Sequence, residues 1–250
     1  MELYSNAPGA SIIMGDDPHL IKKLDELLKK YNVDVVIESG TFVGTGSTKF
    51  LAEAFCRNKF PKSFSTIEVN FTNWLHANVN LRPFPFIDCH WGCSVNLAGA
   101  LEFIKNDEMV VNHEKYQGIY IDDVEDPVGF YTREILGQIE IIKKTMEDES
   151  TKMLWEGEDL LGRLLEVHKT HAPLIVLDSS GGMGFLEFQW VVQKMGDFPY
   201  LMLLDDTIHI KHFRSLQYIR SSPEFSIFAE GHNWVIAVHP GSNGHALALP

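Results

Sequence analysis

Basic residues are scarce in this chain: 21 lysines and arginines stand against 34 acids, a formal charge of −13. That balance argues against a nucleic-acid backbone as the main partner, because phosphate binding needs a concentrated basic surface. It leaves room for a small cationic ligand. Cysteine is rarer still. Cys56, Cys89 and Cys93 are the only three; an odd number cannot all pair internally, and reduced thiols in a cytosol are expected. Cys89 and Cys93 also lack the Cys-x-x-Cys spacing of a zinc ribbon. No apolar run reaches the ~18–20 residues of a membrane span, and Met1 to Ala10 lack the basic-then-apolar pattern of a signal peptide. Two catalytic motifs are missing as well. There is no dinucleotide-type Gly-x-Gly-x-x-Gly, and Ser179-Ser180 adjoin Gly181-Gly182 without a Gly-x-Ser-x-Gly elbow, which rejects a serine hydrolase.

What is present is a rhythm of apolar runs that end in acids. With 250 residues and 45% hydrophobic composition the chain has ample material for one large core. Leu20 to Tyr31 carries the apolar stripe of an amphipathic helix. Val33 to Ile37 reads as a buried parallel strand that runs into Glu38, and Thr48 to Arg57 as the helix after it. Phe64 to Val69 gives a second strand with Glu68 at its end, Phe71 to Asn80 a helix, and Pro85 to Cys89 a third strand followed by a helix over Val95 to Lys105. Leu174 to Leu177 ends at Asp178, and Tyr200 to Leu204 ends at Asp205-Asp206, with a helix over Phe185 to Lys194 between them. Phe225 to Ala229 and Trp234 to His239 flank Gly231-His232 as an antiparallel pair. Alternating strands and helices predict a doubly wound, mostly parallel sheet. The region from Asn106 to Ala172 breaks the rhythm; it is charged, mostly helix-favouring, and holds one short apolar run at Gly118 to Ile121. It reads as a cap inserted into a single domain spanning residues 1–250.

Between the first strand and its helix lies Glu38-Ser39-Gly40-Thr41-Phe42-Val43-Gly44-Thr45-Gly46-Ser47. Glycines there permit positive φ or close approach of a ligand, and the helix that follows offers unpaired N–H groups. The order Glu-x-Gly-x-x-x-Gly-x-Gly resembles motif I of the class I S-adenosylmethionine-dependent methyltransferases, and the resemblance covers roughly residues 33–105 and 173–240. It implies a Rossmann-like α/β fold, a mostly parallel seven-stranded sheet closed by a C-terminal antiparallel hairpin, here with a helical cap insertion. It further implies that Glu38, Gly40, Thr41, Gly44, Gly46 and Ser47 line the cofactor's methionine and ribose end. Glu68 would take the ribose hydroxyls, a geometry that would also suit NAD. Trp91-Gly92-Cys93-Ser94 is similar to the family's turn beside the adenine, which places Gly92 and Ser94 in the cofactor set; Cys93 stands where an acid is usual.

Asp178, Asp205 and Asp206 should all project from the same carboxyl edge of the sheet. Three convergent carboxylates repel unless protonated or neutralised by a cation, and hard oxygen ligands suit Mg²⁺ or Ca²⁺. The Asp then Asp-Asp arrangement resembles the divalent-metal site of catechol and macrolide-sugar O-methyltransferases, in which the first acid (Asp178 here) also adjoins the cofactor. The lysine that catechol-type enzymes carry three residues after that acid is replaced by Gly181. His209 and His212, close behind the acid pair, are the candidate proton acceptors, with a polar helix surface as their alternative role.

The resulting expectation is a cytosolic enzyme that uses S-adenosylmethionine to methylate a hydroxyl of a small molecule, assisted by a divalent ion. Nucleic acid and membrane are not expected as partners, and a homo-oligomer is compatible with the chain. Two other readings stay open: a catalytically silent cofactor-fold binding protein, and another nucleotide-cofactor enzyme such as a dehydrogenase.

Overall fold

The computed structural model describes residues 14–242; the segment Met1 to Ala10 considered above lies outside them. One sheet of seven strands organises the molecule, in the order β3-β2-β1-β4-β5-β7-β6. Its strands are β1 (Val35–Ser39), β2 (Ser63–Glu68), β3 (Ile87–Trp91), β4 (Leu174–Leu177), β5 (Tyr200–Asp205), β6 (Ser226–Glu230) and β7 (Trp234–His239). The pairs from β3 through β5 are parallel, whereas β7 is antiparallel to both β5 and β6. This is the doubly wound, Rossmann-like sheet with a C-terminal antiparallel pair that the strand pattern predicted. Strand order reverses between β1 and β4, so the crevice outside their carboxyl ends is where a ligand is accommodated in such sheets.

Two apolar clusters form the two faces. On one side α1 (Pro18–Lys30) and α2 (Ser47–Arg57) bury Leu20, Leu24, Leu27, Leu51 and Phe55 against Val36, Phe64, Val176 and Leu203. Asp17 begins α1 by accepting the His19 and Leu20 N–H groups, and Pro18 at the first helical position needs no partner. On the other side α8 (Leu160–His168) and α9 (Gly184–Met195) bury Leu161, Leu165, Phe188 and Val191 against Ile37, Ile175, Leu177 and Leu204. The parallel strands are buried on both faces and therefore read as continuous apolar runs.

The inserted region differs from its expected bounds. Helix α8 lies inside the stretch read as cap, yet its buried leucines belong to the sheet's own helical layer. What stands apart is shorter. It comprises α5 (Glu108–Val111), α6 (Pro127–Thr145) and α7 (Glu149–Lys152), of which α5 and α6 pack on α4 (Leu97–Asn106) through a third apolar cluster that includes Ala100, Ile104, Tyr131, Ile135, Ile142 and Ile210. Asp126 starts α6 by accepting the Gly129 N–H at 2.8 Å, and Pro127 fits its first turn. The apolar run before it forms no strand of its own. A single parallel bridge joins Tyr120 to His209, with Tyr120 N–H donating to the Ile208 carbonyl at 2.9 Å and Ile210 N–H to the Tyr120 carbonyl at 3.0 Å. The insertion is thereby tied to the carboxyl edge of the sheet. Helices α3 (Phe71–Asn80) and α10 (Phe213–Ser221) complete the fold. Among the described residues no helix is long and apolar enough to cross a membrane.

Candidate functional site

Strand β1 carries Glu38 to the crevice floor, fully buried. Its Oε2 accepts from the hydroxyls of Thr48, on α2, and Thr66, on β2, each at 2.7 Å. Its Oε1 is buried without a hydrogen-bond partner. Burial pushes the carboxyl up to about 7, with the threonine hydroxyls opposing the shift. Glu68, at the end of β2, performs a different local task. Its two oxygens accept the Phe42 N–H at 2.8 Å and the Asn70 N–H at 2.7 Å. It therefore clamps the glycine-rich turn in place, and burial raises it too to about 7.

Within that turn Gly40 adopts φ +97°. A Cβ there would lie 2.3 Å from the Asp178 carbonyl oxygen, so the exits of β1 and β4 can meet only because no side chain intervenes. Thr41 and Ser47 are buried, with Thr41 sharing a 2.6 Å hydroxyl contact with Thr66. Gly44 packs on Leu81, whereas open space surrounds the Cβ position of Gly46, which precedes α2. The N–H groups of the first turn of α2 have no intrahelical acceptors and border that space.

The exit of β3 is occupied by the chain itself. Trp91 is fully buried among Phe71, Trp74 and Trp155, and its indole donates to the Val69 carbonyl at 3.0 Å. It is a packing residue with no face left for a ring ligand. Gly92 lies where a Cβ would meet Leu160 at 2.3 Å and the Gly157 carbonyl at 2.6 Å. The segment before α8 and the start of that helix pair along Cys93 and Ser94, through Cys93 N–H to the Gly157 carbonyl and the Leu160 and Leu161 N–H groups to the Cys93 and Ser94 carbonyls. The turn expected beside an adenine is therefore covered by residues 155–161.

Asp178, Asp205 and Asp206 do converge: one carboxylate oxygen from each lies within 4.8 Å of the others. Asp206 reaches its position through a left-handed backbone, φ +52°, and accepts from Asn233 at 2.6 Å. A cation is already among them. The Lys211 ammonium lies 2.8 Å from Asp206 Oδ2 and 3.3 Å from Asp178 Oδ1, and the lysine is only 4% exposed. Burial alone would weaken that charge, but the three surrounding carboxylates outweigh it and raise the lysine above its ordinary range. Asp205 is pushed up to about 8 by burial and by Asp178, despite Lys211. Burial also raises Asp206, yet Lys211 and Asn233 win and hold it below the usual carboxylate range. The donor set suits a hard cation, but the ammonium holds the space between two of its members. A doubly charged ion beside it, about 4 Å away, would meet a repulsion of roughly 8 kcal/mol at an effective dielectric of 20. These residues do not fit a resident divalent ion while Lys211 keeps its place.

The two histidines separate. His212 is fully buried, with Nδ1 3.3 Å from Ser215 Oγ and Nε2 without a partner; burial and Lys211 depress its pKa far below the ordinary value. With no exposed surface it is closed to a ligand, against its expected role as proton acceptor. His209 sits at the edge of the insertion. Its Nδ1 receives the Lys211 N–H at 3.2 Å, which leaves Nε2–H to donate to Asp122 Oδ2 at 3.0 Å. The Tyr131 hydroxyl donates to the same Asp122 oxygen at 2.8 Å. Neither histidine lies on a polar helix surface, because α10 begins only at Phe213.

Asp122 escaped the sequence reading. Its side chain is 37% exposed, and both it and Asp123 have positive φ, +38° and +51°. Two consecutive non-glycine residues in that region are costly and persist where the surroundings impose them. The His209 hydrogen bond, opposed by burial, holds the Asp122 carboxyl below its ordinary value, with Tyr131 and Lys211 helping.

No family model matches the chain, and no curated protein does. Solved structures similar to it include an O-methyltransferase from Bacillus cereus in complex with SAH, at 13% identity and TM-score 0.46, covering 89% of this chain and 81% of that one. The O-methyltransferase TomG from Streptomyces achromogenes, involved in tomaymycin synthesis and solved with SAM, gives 11%, 0.44, 89% and 80%. A precorrin-6y C5,15-methyltransferase from Geobacter metallireducens gives 10%, 0.43, 94% and 92%. Scores of this size carry no weight for the activity, and the fold stands on its own strand order.

Proposed function

We propose that this chain binds S-adenosylmethionine at the carboxyl ends of β1 and β2 and transfers its methyl group to a hydroxyl of a small molecule. The observation that carries the reading is Glu38: a fully buried carboxylate with one oxygen unpartnered, at the switch point, beside the glycine-rich turn and the N-terminus of α2. Such an oxygen favours a cation or a hydroxyl donor over an anion. Glu68 shapes the turn, and each of its oxygens keeps a lone pair for a ribose hydroxyl. When bound, the cofactor supplies an intrinsically electrophilic methyl on its sulfonium.

The chain's own task is to hold the acceptor oxygen in line and accept its proton. Asp122 is the group placed for this, because it is the partly exposed member of the Asp122–His209–Tyr131 set. His209 orients it through Nε2–H and Tyr131 through its hydroxyl. His209 thus stays in the proposed site as a positioning residue, and no step is assigned to a metal.

Calorimetric titration tests the cofactor reading. S-adenosylmethionine or its demethylated product should bind in the micromolar range, about −7 to −8 kcal/mol, and Glu38→Gln should weaken the sulfonium compound more than the neutral product. Binding of NAD with no binding of either adenosyl compound would refute the reading. The silent-binder alternative is favoured by one observation, the filling of the β3 exit by Trp155 to Leu161. A folded protein that binds neither adenosyl compound nor NAD would select it.

A further inference from the structure

We infer that Lys211 is a built-in cation that stands in for a divalent ion among Asp178, Asp205 and Asp206, so that this acid cluster is assembled and neutralised without metal. Three acids end two neighbouring strands at one edge of the sheet, a placement that needs a positive charge to be stable. The sequence supplies that charge five positions after the last acid. The ammonium contacts both loops, Asp178 after β4 at 3.3 Å and Asp206 after β5 at 2.8 Å. It is tethered by tight packing, for a Cβ added at Gly184, the first residue of α9, would lie 2.8 Å from Lys211 Cβ and from its carbonyl oxygen. Its own N–H fixes the His209 ring at 3.2 Å. One residue therefore joins the cluster to the Asp122–His209 pair, and Lys211 is a positioning residue rather than a group that meets substrate, since it is almost wholly buried. The inference concerns how the acids are neutralised and does not depend on the methyl-transfer reading.

The test titrates Mg²⁺, Ca²⁺ and Mn²⁺ into the full chain by calorimetry, with the melting temperature followed in parallel. The wild type is expected to show no saturable binding at millimolar ion and no shift in melting temperature with ion or with chelator. Lys211→Gln removes the charge while keeping most of the length. It should melt lower, gain at least a tenfold increase in affinity for Ca²⁺ or Mg²⁺, and recover melting temperature when either ion is added. A merely structural lysine would lower the melting temperature without creating ion affinity. Saturable ion binding by the wild type that is lost in Asp178→Asn or Asp206→Asn overturns the inference. A folded Lys211→Gln protein with no gain in ion affinity overturns it equally. Should Lys211→Gln not fold, the wild-type titration decides. The demethylated cofactor product, titrated into the wild type in the same series, reports separately on the cofactor reading.

Discussion

Glu38 and Glu68 are buried carboxyls whose folded-state affinity for a proton exceeds that of the unfolded chain, both raised to about 7. A raised pKa contributes stability that is fully present below the unfolded value near 4.5 and is lost as pH rises through the folded value. Between pH 5 and 8 the unliganded protein should therefore lose stability, Glu38 accounting for about 3 kcal/mol at most. Glu38→Gln, which resembles the protonated form, should flatten this part of the pH profile of the melting temperature; an unchanged slope would show that Glu38 is ionised throughout. Around Asp122 the sign is opposite. Tyr131→Phe removes one hydroxyl donor to that carboxylate, so its pKa should rise and the acidic limb of the pH–rate profile should move to higher pH. At neutral pH, where Asp122 is ionised in both proteins, a fall in rate would report lost positioning of the carboxylate, and Tyr131→Phe with an unaltered profile would remove Asp122 from the proposed proton path. At this scale the strand-end acids were legible because each closes an apolar run. Asp122 carries the same mark, closing Gly118 to Ile121, but its partner His209 is distant in sequence and only the fold brings them together. Lys211 was hidden for another reason: flanked by His209 and His212, it reads as part of a polar helix face, and nothing local says that it is buried.

Among the elements, β4, β7 and α3 occupy the bounds expected from their sequences, since each is a strongly patterned run with clear stops. Strand β3 starts two residues later than expected, at Ile87, because Pro83, Phe84 and Pro85 form the turn that leads into it, with Phe84 N–H bonded to Leu81 and Ile87 N–H to Phe84. The shift carries Trp91 into the strand and the core. Helix α8 was misplaced in the cap because helical periodicity reports an apolar face without naming the surface that receives it. Two glycines test how element junctions are built. Gly40→Ala puts a methyl group 2.3 Å from the Asp178 carbonyl at φ +97°. It should cost about 3 kcal/mol or more and weaken any ligand at the switch point. Gly137, inside α6, has open space at its Cβ position, and Gly137→Ala should stabilise by about 0.5–1 kcal/mol. Urea melts of the two variants check both; equal effects would mean that the junction of the β1 and β4 loops yields more easily than its geometry indicates.

For the whole molecule the dominant quantity is the formal charge of −13. A field of that sign attracts cations over a distance set by the Debye length, about 10 Å at 0.1 M salt. S-adenosylmethionine carries a sulfonium, an ammonium and a carboxylate and is a net cation, whereas its demethylated product is a net-neutral zwitterion. If the site lies at the carboxyl edge, where Glu38, Glu68, Asp122, Asp178, Asp205 and Asp206 gather, the charge difference between substrate and product should appear in their kinetics. The association rate of the methylated compound should fall severalfold as salt is raised from low to physiological strength, because screening removes the steering. That of the product should hardly change. The same asymmetry would favour exchange of spent cofactor for fresh, since loss of the methyl group removes the charge that the surface attracts. Stopped-flow measurement of both association rates across a salt series decides the matter. A common salt dependence for the two compounds would place their entry away from the acidic edge and the proposed cofactor site with it.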